Sequence, residues 1–323
     1  MELVQVGGKG LAMDVLIVCS GNAPSFDFQK HQAFIYDQVE AVKKVDGTIR
    51  FDYFFINQKG VKGYLGCLKA LKAKINIKKY DCIHAHFSTS ALLANLQRNV
   101  PVITTFHGSD INLKLHRGLS FIVALLSKKV IYVSDQLLQK ALFTLRFKSQ
   151  VLPCGINFEV FVPQSKAIVR QKMGLELAKK YILFSSHFEN KVKNAPLAMT
   201  AVAMLQKDEL ELIELKNYSR AEVADLMAGV DVALMTSFSE GSPQFVKEAL
   251  ACNCPVVSTD VGDVQTVMGS IEGCFIASYE PEDVANKLRQ VLSTTKPFQG
   301  RDMVQHFDNQ IIAKKLILIY KSI

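Results

Sequence analysis

The feature that most constrains the fold of this chain is an alternation of short β-rich runs with helical patterns, which occurs twice along the sequence. Runs rich in Val, Ile, Phe and Tyr are separated by stretches with helical spacing of apolar residues. Such alternation is typical of parallel sheets covered by helices on both faces, an α/β fold. The predicted strands are residues 14–19, 51–56, 81–87, 102–106, 129–134, 181–186, 210–215, 231–237, 255–259 and 274–277.

The alternation is interrupted once, at residues 151–165, which contain Pro153, Gly155 and Pro163. We interpret this stretch as the link between two Rossmann-like domains, residues 13–155 and 156–323. A length of 323 residues favours two domains, and a chain that is 49% hydrophobic can fill two cores. Helices are predicted at residues 29–44, 134–145, 195–206 and 220–229.

The first twelve residues, MELVQVGGKGLA, differ from the α/β pattern that begins at Met13. We expect a flexible leader here, with a short edge strand at residues 3–6 as the alternative. Neither a signal-peptide pattern nor an apolar run long enough to cross a bilayer is visible. The seven cysteines have no disulfide-framework spacing, which indicates buried thiols and a reducing cytoplasm.

Positive charge is concentrated in the first half of the chain. Residues 1–155 contain 20 lysines and arginines and 10 acidic residues, whereas residues 156–323 contain 18 and 20. Residues 59–79 hold seven lysines and no acid, with Tyr64, Leu65, Leu68, Leu71 and Ile75 at helical spacing. This predicts an amphipathic helix with a cationic face. It would either be a solvated helix on a sheet or dock onto anionic lipid, where each lysine adds about 1 kcal/mol. Nucleic acid is less favoured, since no aromatic residues are interleaved with the basic ones.

The segment EGSPQFVKE places Glu240 and Glu248 around a Gly-Ser-Pro corner, directly after the predicted strand 231–237. Ser242 is expected to cap a helix over residues 243–251, with Pro243 in its first turn. Both carboxylates would then lie beside a helix N-terminus, which attracts phosphate, and Gly241 would let a ligand approach the backbone. Because carboxylates also bind vicinal hydroxyls, the combination indicates a sugar nucleotide. The alternative is that both glutamates are solvent-exposed surface residues of a helix and bind nothing.

Residues 239–263, SEGSPQFVKEALACNCPVVSTDVGD, resemble the donor-binding signature of retaining GT-B-fold glycosyltransferases of family 4. Four further stretches are similar to that family: residues 80–94, 104–112, 152–163 and 312–320. The resemblance covers nearly the whole chain from Met13. It implies a GT-B fold, in which two Rossmann-like domains face a cleft and the last helix returns to the N-terminal domain.

The resemblance also implies roles for the residues around the Gly-Ser-Pro corner. His107 would lie over the transferred sugar and Glu240 would contact its hydroxyls, so these two are the candidate catalytic residues. Glu248 would hold the ribose hydroxyls of the nucleotide. The donor's sugar and phosphates would lie along the backbone of residues Gly241, Ser242 and Pro243.

The resemblance implies three further residues at the donor site. Lys193 would neutralise the diphosphate, and Asp110 would order the loop of His107. Gly21 would lie in the loop after the first strand, where the backbone meets the donor or acceptor. The sequence departs from the family pattern at Phe188, where an arginine is usual, and at Asn22, which follows a single glycine. Lys191 is the candidate substitute for that arginine, although lysine lacks its bidentate fork.

The function implied is transfer of a hexose-type sugar, with retention, from a UDP- or GDP-linked donor to a lipid-linked or saccharide acceptor in surface polysaccharide or glycolipid synthesis. No cofactor beyond the nucleotide-sugar is expected, and no metal, because no Asp-x-Asp pair follows a strand. The enzyme would be cytoplasmic and peripheral at the inner face of the cell membrane. The alternatives are a non-catalytic GT-B subunit that binds another transferase and a sugar-nucleotide epimerase.

Three other groups of residues carry weaker signals. His84 and His86 have no third metal ligand at useful spacing, so they are expected to line the cleft or pack in a strand. Cys252 and Cys254 are expected to be buried thiols. His187 follows a strand and would either face the donor or have a structural role.

Overall fold

The structure, a computed structural model, describes residues 12–23, 25–58, 60–142, 145–206 and 209–323. The expected leader, apart from its last residue, and Lys59 of the basic segment lie outside the described residues. Two parallel sheets organise the rest of the chain, one in each half. The first strand of the second sheet begins at Lys180.

The N-terminal sheet has six parallel strands in the order β2-β1-β3-β4-β5-β6. Its two central strands, β3 and β4, are buried along their whole length, because helices cover both faces. The strands are β1 (Met13–Ser20), β2 (Ile49–Ile56), β3 (Cys82–His86), β4 (Val102–Phe106), β5 (Lys129–Tyr132) and β6 (Ser149–Val151). The helices are α1 (Phe28–His31), α2 (Ala33–Val45), α3 (Gly60–Ile77), α4 (Ser88–Asn95), α5 (Ser109–Asn112), α6 (Lys114–Leu126) and α7 (Asp135–Lys140).

The C-terminal sheet has five parallel strands in the order β11-β10-β9-β7-β8. The strands are β7 (Lys180–Phe184), β8 (Leu210–Glu214), β9 (Val232–Met235), β10 (Val256–Thr259) and β11 (Phe275–Ala277). The helices are α8 (Lys166–Met173), α9 (Ala195–Ala203), α10 (Arg220–Gly229), α11 (Gln244–Ala251), α12 (Val264–Met268), α13 (Pro281–Ser293) and α14 (Asn309–Tyr320), with 3₁₀ turns at Lys191–Lys193 and Arg301–Phe307.

All ten predicted strands are present, and β6 is an additional strand that the sequence reading missed. The predicted helix 29–44 is broken at Gln32 into α1 and α2. The helix predicted over residues 134–145 ends at Lys140, and residues 143 and 144 lie outside the described part. Residues 152–165, within the predicted link, contain neither helix nor strand apart from a single bridge between Ile156 and Asp308.

The last helix, α14, returns to the N-terminal domain, as the resemblance implied. Its apolar face packs into the core cluster formed by α2 and β1, with Ile312 and Leu316 fully buried. Tyr320 at its end bonds through its hydroxyl to Nδ1 of His84 in β3 at 2.8 Å. The helix therefore ties the two domains together at one side of the cleft.

The basic segment forms α3, an amphipathic helix as predicted. Leu71 and Ile75 are buried against the N-terminal sheet, and Tyr64 and Leu68 pack on the same cluster. The α3 lysines at positions 62, 69 and 72 are exposed, as is Lys79 just after the helix. Among the described residues, no helix combines the length and the apolar character that crossing a bilayer requires.

Candidate functional site

A cleft of about 350 Å³ lies where loops from the carboxyl ends of strands in both sheets meet. Ligands of open parallel sheets bind at this edge, so the position is the expected one. The N-terminal wall follows β4 and the C-terminal wall follows β9. Residues lining the cleft are Phe34, Phe87, His107, Gly108, Ser109, Asn112, Leu113, Val133, Cys154, Val192, Ser239, Glu240, Gly241, Ser242 and Gln244.

The two walls touch backbone to backbone at Gly108 and Gly241. A Cβ on Gly241 would lie 2.7 Å from the carbonyl carbon of His107 and 2.9 Å from Cα of Gly108, closer than real Cβ atoms approach. Two hydrogen bonds close the same contact: Asn112 Nδ2 donates to the Glu240 carbonyl at 2.7 Å, and Ser134 Oγ donates to the Gly241 carbonyl at 3.0 Å. The loop that carries Glu240 is thus held by the opposite domain.

Glu240 lies at the cleft and pairs with Lys193, whose Nζ is 2.6 Å from Oε1 of the carboxylate. Both side chains are mostly buried. The structure therefore brings together the residue predicted for the sugar hydroxyls and the one predicted for the diphosphate. Lys191 at the start of the same 3₁₀ turn is exposed and does not line the cleft.

Glu248 lies in the second turn of α11 and is 4% exposed. Its Oε1 is 2.8 Å from Nη1 of Arg220, the first residue of α10. Arg220 also reaches the N-terminal domain, where Nη2 donates to Oδ2 of Asp37 at 2.7 Å. Burial disfavours the arginine's charge, but the two carboxylates outweigh it, so the pKa of Arg220 is raised.

His107 is half-buried and stands at the cleft end of a run of imidazoles that crosses the N-terminal sheet. Its Nε2 lies 3.0 Å from Nδ1 of His86, whose ring stacks near that of His84. Burial, followed by the charge on His84, lowers the pKa of His107 to about 3. His107 is therefore neutral at physiological pH, and it can offer the cleft dipoles and its backbone carbonyl but no positive charge.

Asp110 orders the loop of His107. One of its oxygens accepts from the amide of Ser88 at 2.6 Å, and the other accepts from the amide of His107 at 2.9 Å. Burial raises the pKa of this carboxyl, against the lowering effect of the amides. Each oxygen thus accepts a hydrogen bond from a backbone amide, which fits the loop-ordering role.

The Gly-Ser-Pro corner differs from expectation at Ser242. Pro243 occupies the N-cap position of α11, so the prediction that Ser242 caps the helix is wrong. The Ser242 hydroxyl instead donates to Oδ2 of Asp263 and accepts from Nζ of Lys247, both at 2.5 Å. Lys247 is fully buried, and burial lowers its pKa. The buried ammonium of Lys247 is shielded from water, whereas the free amides at the start of α11 face the cleft. The Ser242 hydroxyl therefore points to Lys247 and does not cap the helix.

Six of the ten predicted site residues are not among the residues that line the cleft: Gly21, Asp110, Lys191, Lys193, Pro243 and Glu248. Gly21 donates its amide to the Ile56 carbonyl at 2.8 Å, and the side chain of Phe55 fills the space beside its Cα. Phe188 packs on Phe184 with ring centroids 5.6 Å apart, so the position where the family has arginine is apolar. His187 is exposed and contacts Glu189 at 3.1 Å.

The weaker candidates are structural. His84 and His86 are buried in β3, and Cys252 and Cys254 are buried thiols whose pKa values burial raises. Among the described residues, no group of three or more His, Cys, Asp or Glu side chains is arranged to hold a metal ion.

Sequence reasoning missed Arg220, Asp37, Lys247 and Asp263. Arg220 follows the carboxyl end of β8 and Asp263 that of β10. The rule that loops at these strand ends build the site could have suggested these two residues.

The fold and the cleft define a GT-B-type protein, in which two Rossmann-like domains enclose a site between them. Two family models match the chain: Glycosyltransferase Family 4 over residues 9–160 and Glycosyl transferases group 1 over residues 179–294. The chain belongs to this family of glycosyltransferases.

Individual relatives and structures agree with that assignment. TuaC of Bacillus subtilis, a glycosyltransferase assigned to teichuronic acid biosynthesis, is 27% identical over 237 residues, 64% of this chain and 60% of TuaC. An N,N'-diacetylbacillosaminyl-diphospho-undecaprenol alpha-1,3-N-acetylgalactosaminyltransferase of Campylobacter jejuni is 25% identical over 112 residues, 32% of this chain and 30% of that protein. The matched region is thus less than two thirds of these relatives.

Solved structures share the fold over nearly the whole chain. Sucrose-phosphate synthase from Thermosynechococcus elongatus superposes with a TM-score of 0.81 at 15% identity, covering 96% of this chain and 98% of that one. HepE of Anabaena, in complex with UDP and glucose, superposes with a TM-score of 0.77 at 14% identity, covering 96% and 100%. Both confirm the GT-B fold.

Proposed function

We propose that this protein is a retaining glycosyltransferase that moves a hexose-type sugar from a UDP- or GDP-linked donor to a lipid-linked or saccharide acceptor. The observation that carries the proposal is the single βα corner from which Glu240 and Glu248 both project, with Lys193 paired to Glu240 at 2.6 Å. In this proposal Glu240 binds the sugar hydroxyls, Lys193 neutralises the diphosphate and Glu248 binds the ribose. The relatives named for teichuronic acid biosynthesis and for a diphospho-undecaprenol acceptor support a role in surface polysaccharide or lipid-linked synthesis.

In the proposed reaction the bond between C1 of the sugar and the β-phosphate oxygen breaks, and a bond from C1 to the acceptor oxygen forms on the same face. The acceptor's proton passes to the departing diphosphate. Lys193 and the N-terminus of α11 stabilise the negative charge that develops there. Both glutamates belong to one βα corner, unlike hydrolase carboxylates on opposite sides of the scissile bond, so in this proposal they bind the donor.

Replacing Glu248 by glutamine is expected to weaken nucleotide binding by roughly 1–3 kcal/mol, the scale of a hydrogen bond to a charged group. Calorimetric titration with UDP, GDP and ADP measures this and identifies the base. Glu272→Gln is the matched control, because Glu272 is an exposed carboxylate in the turn between α12 and β11, away from the corner that carries Glu240 and Glu248. Equal affinity in Glu248→Gln and wild type would contradict the ribose assignment.

Metal independence is part of the proposal, since Lys193 and a helix terminus supply the positive charge in the cleft. We expect transfer to proceed at an unchanged rate in excess EDTA. Loss of transfer with EDTA and its recovery with magnesium would contradict this.

The second candidate is a non-catalytic GT-B subunit that binds a partner transferase. It is favoured by Phe188, whose apolar packing leaves the diphosphate without the usual arginine. Turnover of a nucleotide-sugar separates the two functions, because only an enzyme consumes the donor. An epimerase would need an acid and a base at the cleft, and His107, whose pKa burial lowers to about 3, is a weak base and carries no acidic proton to donate near neutral pH.

We also propose that the N-terminal domain docks on the inner face of the cell membrane. Helices α3, α4 and α6 cover the same face of the sheet. The outer side of this layer presents the exposed lysines of α3 and an apolar stripe on α6, where Ile122 and Leu125 are each about half exposed. Basic and apolar groups together are what an anionic bilayer surface binds.

Reversing the charge of Lys69, Lys72 and Lys74 to glutamate is expected to reduce binding to anionic liposomes by at least on the order of 100-fold, since each lysine lost removes about 1 kcal/mol and each glutamate adds repulsion. Co-sedimentation with phosphatidylserine vesicles measures this, and neutral vesicles are the control. Hydrolysis of the donor should be unchanged. Equal sedimentation of wild type and variant would remove the docking surface.

A further inference from the structure

An arginine outside every predicted contact joins the two domains at the ribose site. Arg220 begins α10, and Ser219 before it closes a capping box: the Ser219 amide donates to Glu222 Oε2 at 2.7 Å, and the Glu222 amide donates to Ser219 Oγ at 3.3 Å. The box fixes the backbone from which the arginine projects. Its guanidinium lies over the ring of Phe161, 4.6 Å from the centroid.

The guanidinium is held between carboxylates from different domains. Nη2 donates to Asp37 in α2 at 2.7 Å, and Nη1 lies 2.8 Å from Oε1 of Glu248 in α11. The exposed fractions of the side chains of Arg220, Asp37 and Glu248 are 29%, 14% and 5%. We call these three residues the interdomain bridge.

The planar fork of arginine has fixed donor directions, so its hold on Asp37 sets the direction in which it meets Glu248. Glu248 Oε1 is buried and receives no aligned hydrogen bond from the described residues, so Arg220 is its main electrostatic support. Opening of the cleft would take Asp37 away, leaving the arginine to reorient beside a buried carboxylate.

We propose that Asp37 and Arg220 act as positioning residues that hold Glu248 for the nucleotide's ribose only while the domains are closed. Nucleotide binding and closure are then coupled, and by linkage each favours the other by the same factor. The inference rests on the proposed function for its ligand. The closing role of the bridge is testable without any nucleotide.

The test compares Asp37→Asn with Glu159→Gln. Glu159 forms an exposed ion pair with Lys44, and Lys44 lies on α2, the helix that also carries Asp37. Glu159 itself does not contact the interdomain bridge. Both changes remove one negative charge at a contact between α2 and the second half of the chain. Calorimetry with UDP and GDP measures affinity, and small-angle X-ray scattering measures the radius of gyration of the free protein.

Asp37→Asn is expected to weaken nucleotide binding about 5- to 10-fold, although Asp37 is part of the other domain, and to enlarge the radius of gyration of the free protein. Glu159→Gln is expected to match wild type in both. The double variant Asp37→Asn with Arg220→Gln should bind no more weakly than Arg220→Gln alone, because both residues act through one bridge. A merely structural role would instead give additive losses.

Unchanged affinity and an unchanged radius of gyration in Asp37→Asn would overturn the proposal, as would equal losses in Glu159→Gln. If wild type binds neither UDP nor GDP, the proposed function fails, together with the ribose role of the bridge. The scattering comparison then decides whether the bridge closes the cleft.

Discussion

Replacing Gly241 by alanine is expected to force the cleft open and to lower nucleotide-sugar turnover by on the order of 100-fold, the effect of misplacing reacting groups by about 1 Å. The added methyl would lie 2.7 Å from the carbonyl carbon of His107. The loop cannot move away from His107, because the backbone of Gly262 packs against its other side. A Cβ built on Gly262 would lie only 2.8 Å from the Gly241 carbonyl oxygen. Backbone on both sides leaves the domains themselves as the part that must move.

Small-angle scattering of Gly241→Ala should give a larger radius of gyration than wild type. Gly118→Ala is the matched control, because nothing lies within 4 Å of a Cβ built on Gly118, which is exposed on α6. That variant should keep wild-type size and turnover. A closed, fully active Gly241→Ala protein would show that the contact between His107 and Gly241 is not needed for the working cleft.

An element of the fold could be predicted when residues close together in the sequence determine it. Helix α10 was predicted with its observed ends, residues 220 and 229, and the structure shows that its start is encoded locally, by a capping box between Ser219 and Glu222. Strand β6 was missed because its three residues, Ser149–Val151, are too few for a pattern and lie beside the link between the domains. It becomes a strand only by pairing with β5.

The site divides in the same way. The placement of Glu240 and Glu248 at one corner was predictable, because a strand, a Gly-Ser-Pro corner and a helix follow one another in sequence. Arg220 was not, since its partners are 28 residues onward in another helix and 183 residues back in the other domain. Ser242 was misread for a related reason. Its local preference is to cap a helix, but the buried charge of Lys247 is a stronger partner that only the tertiary structure supplies.

Lowering the pH from 7.5 to 5.5 is expected to destabilise the N-terminal domain by roughly 4 kcal/mol, through three neutral histidines, of which His84 and His86 are buried and His107 is half-buried at the cleft. Burial lowers the pKa of His84 to about 3, and it lowers that of His86 well below the ordinary value, with smaller effects from neighbouring imidazoles. His107 behaves like His84. The unfolded chain therefore binds protons below about pH 6.5 that the folded chain does not, which costs roughly 1.4 kcal/mol per histidine at pH 5.5.

Carboxyl groups also change the unfolding free energy with pH, but not in the same way as the histidines. Asp46, held by Lys321 and Thr48, has a pKa lowered to about 2, so its stabilisation is lost only below about pH 4. The buried carboxyls of Asp110 and Asp263 have raised pKa values and act in the opposite direction, favouring the folded state as the pH falls. A comparison that removes one histidine at a time isolates the imidazole contribution from theirs.

The variant His86→Phe is suited to that comparison, because Nε2 of His86 has no hydrogen-bond partner among the described residues. Urea unfolding followed by circular dichroism at pH 7.5, 6.5 and 5.5 gives the pH slope of the unfolding free energy; the chain has no tryptophan for fluorescence. The slope below pH 6.5 should be about one third shallower in His86→Phe. Identical slopes in the variant and wild type would mean that His86 takes up its proton in the folded state, and the imidazole run beneath the cleft would then carry charge.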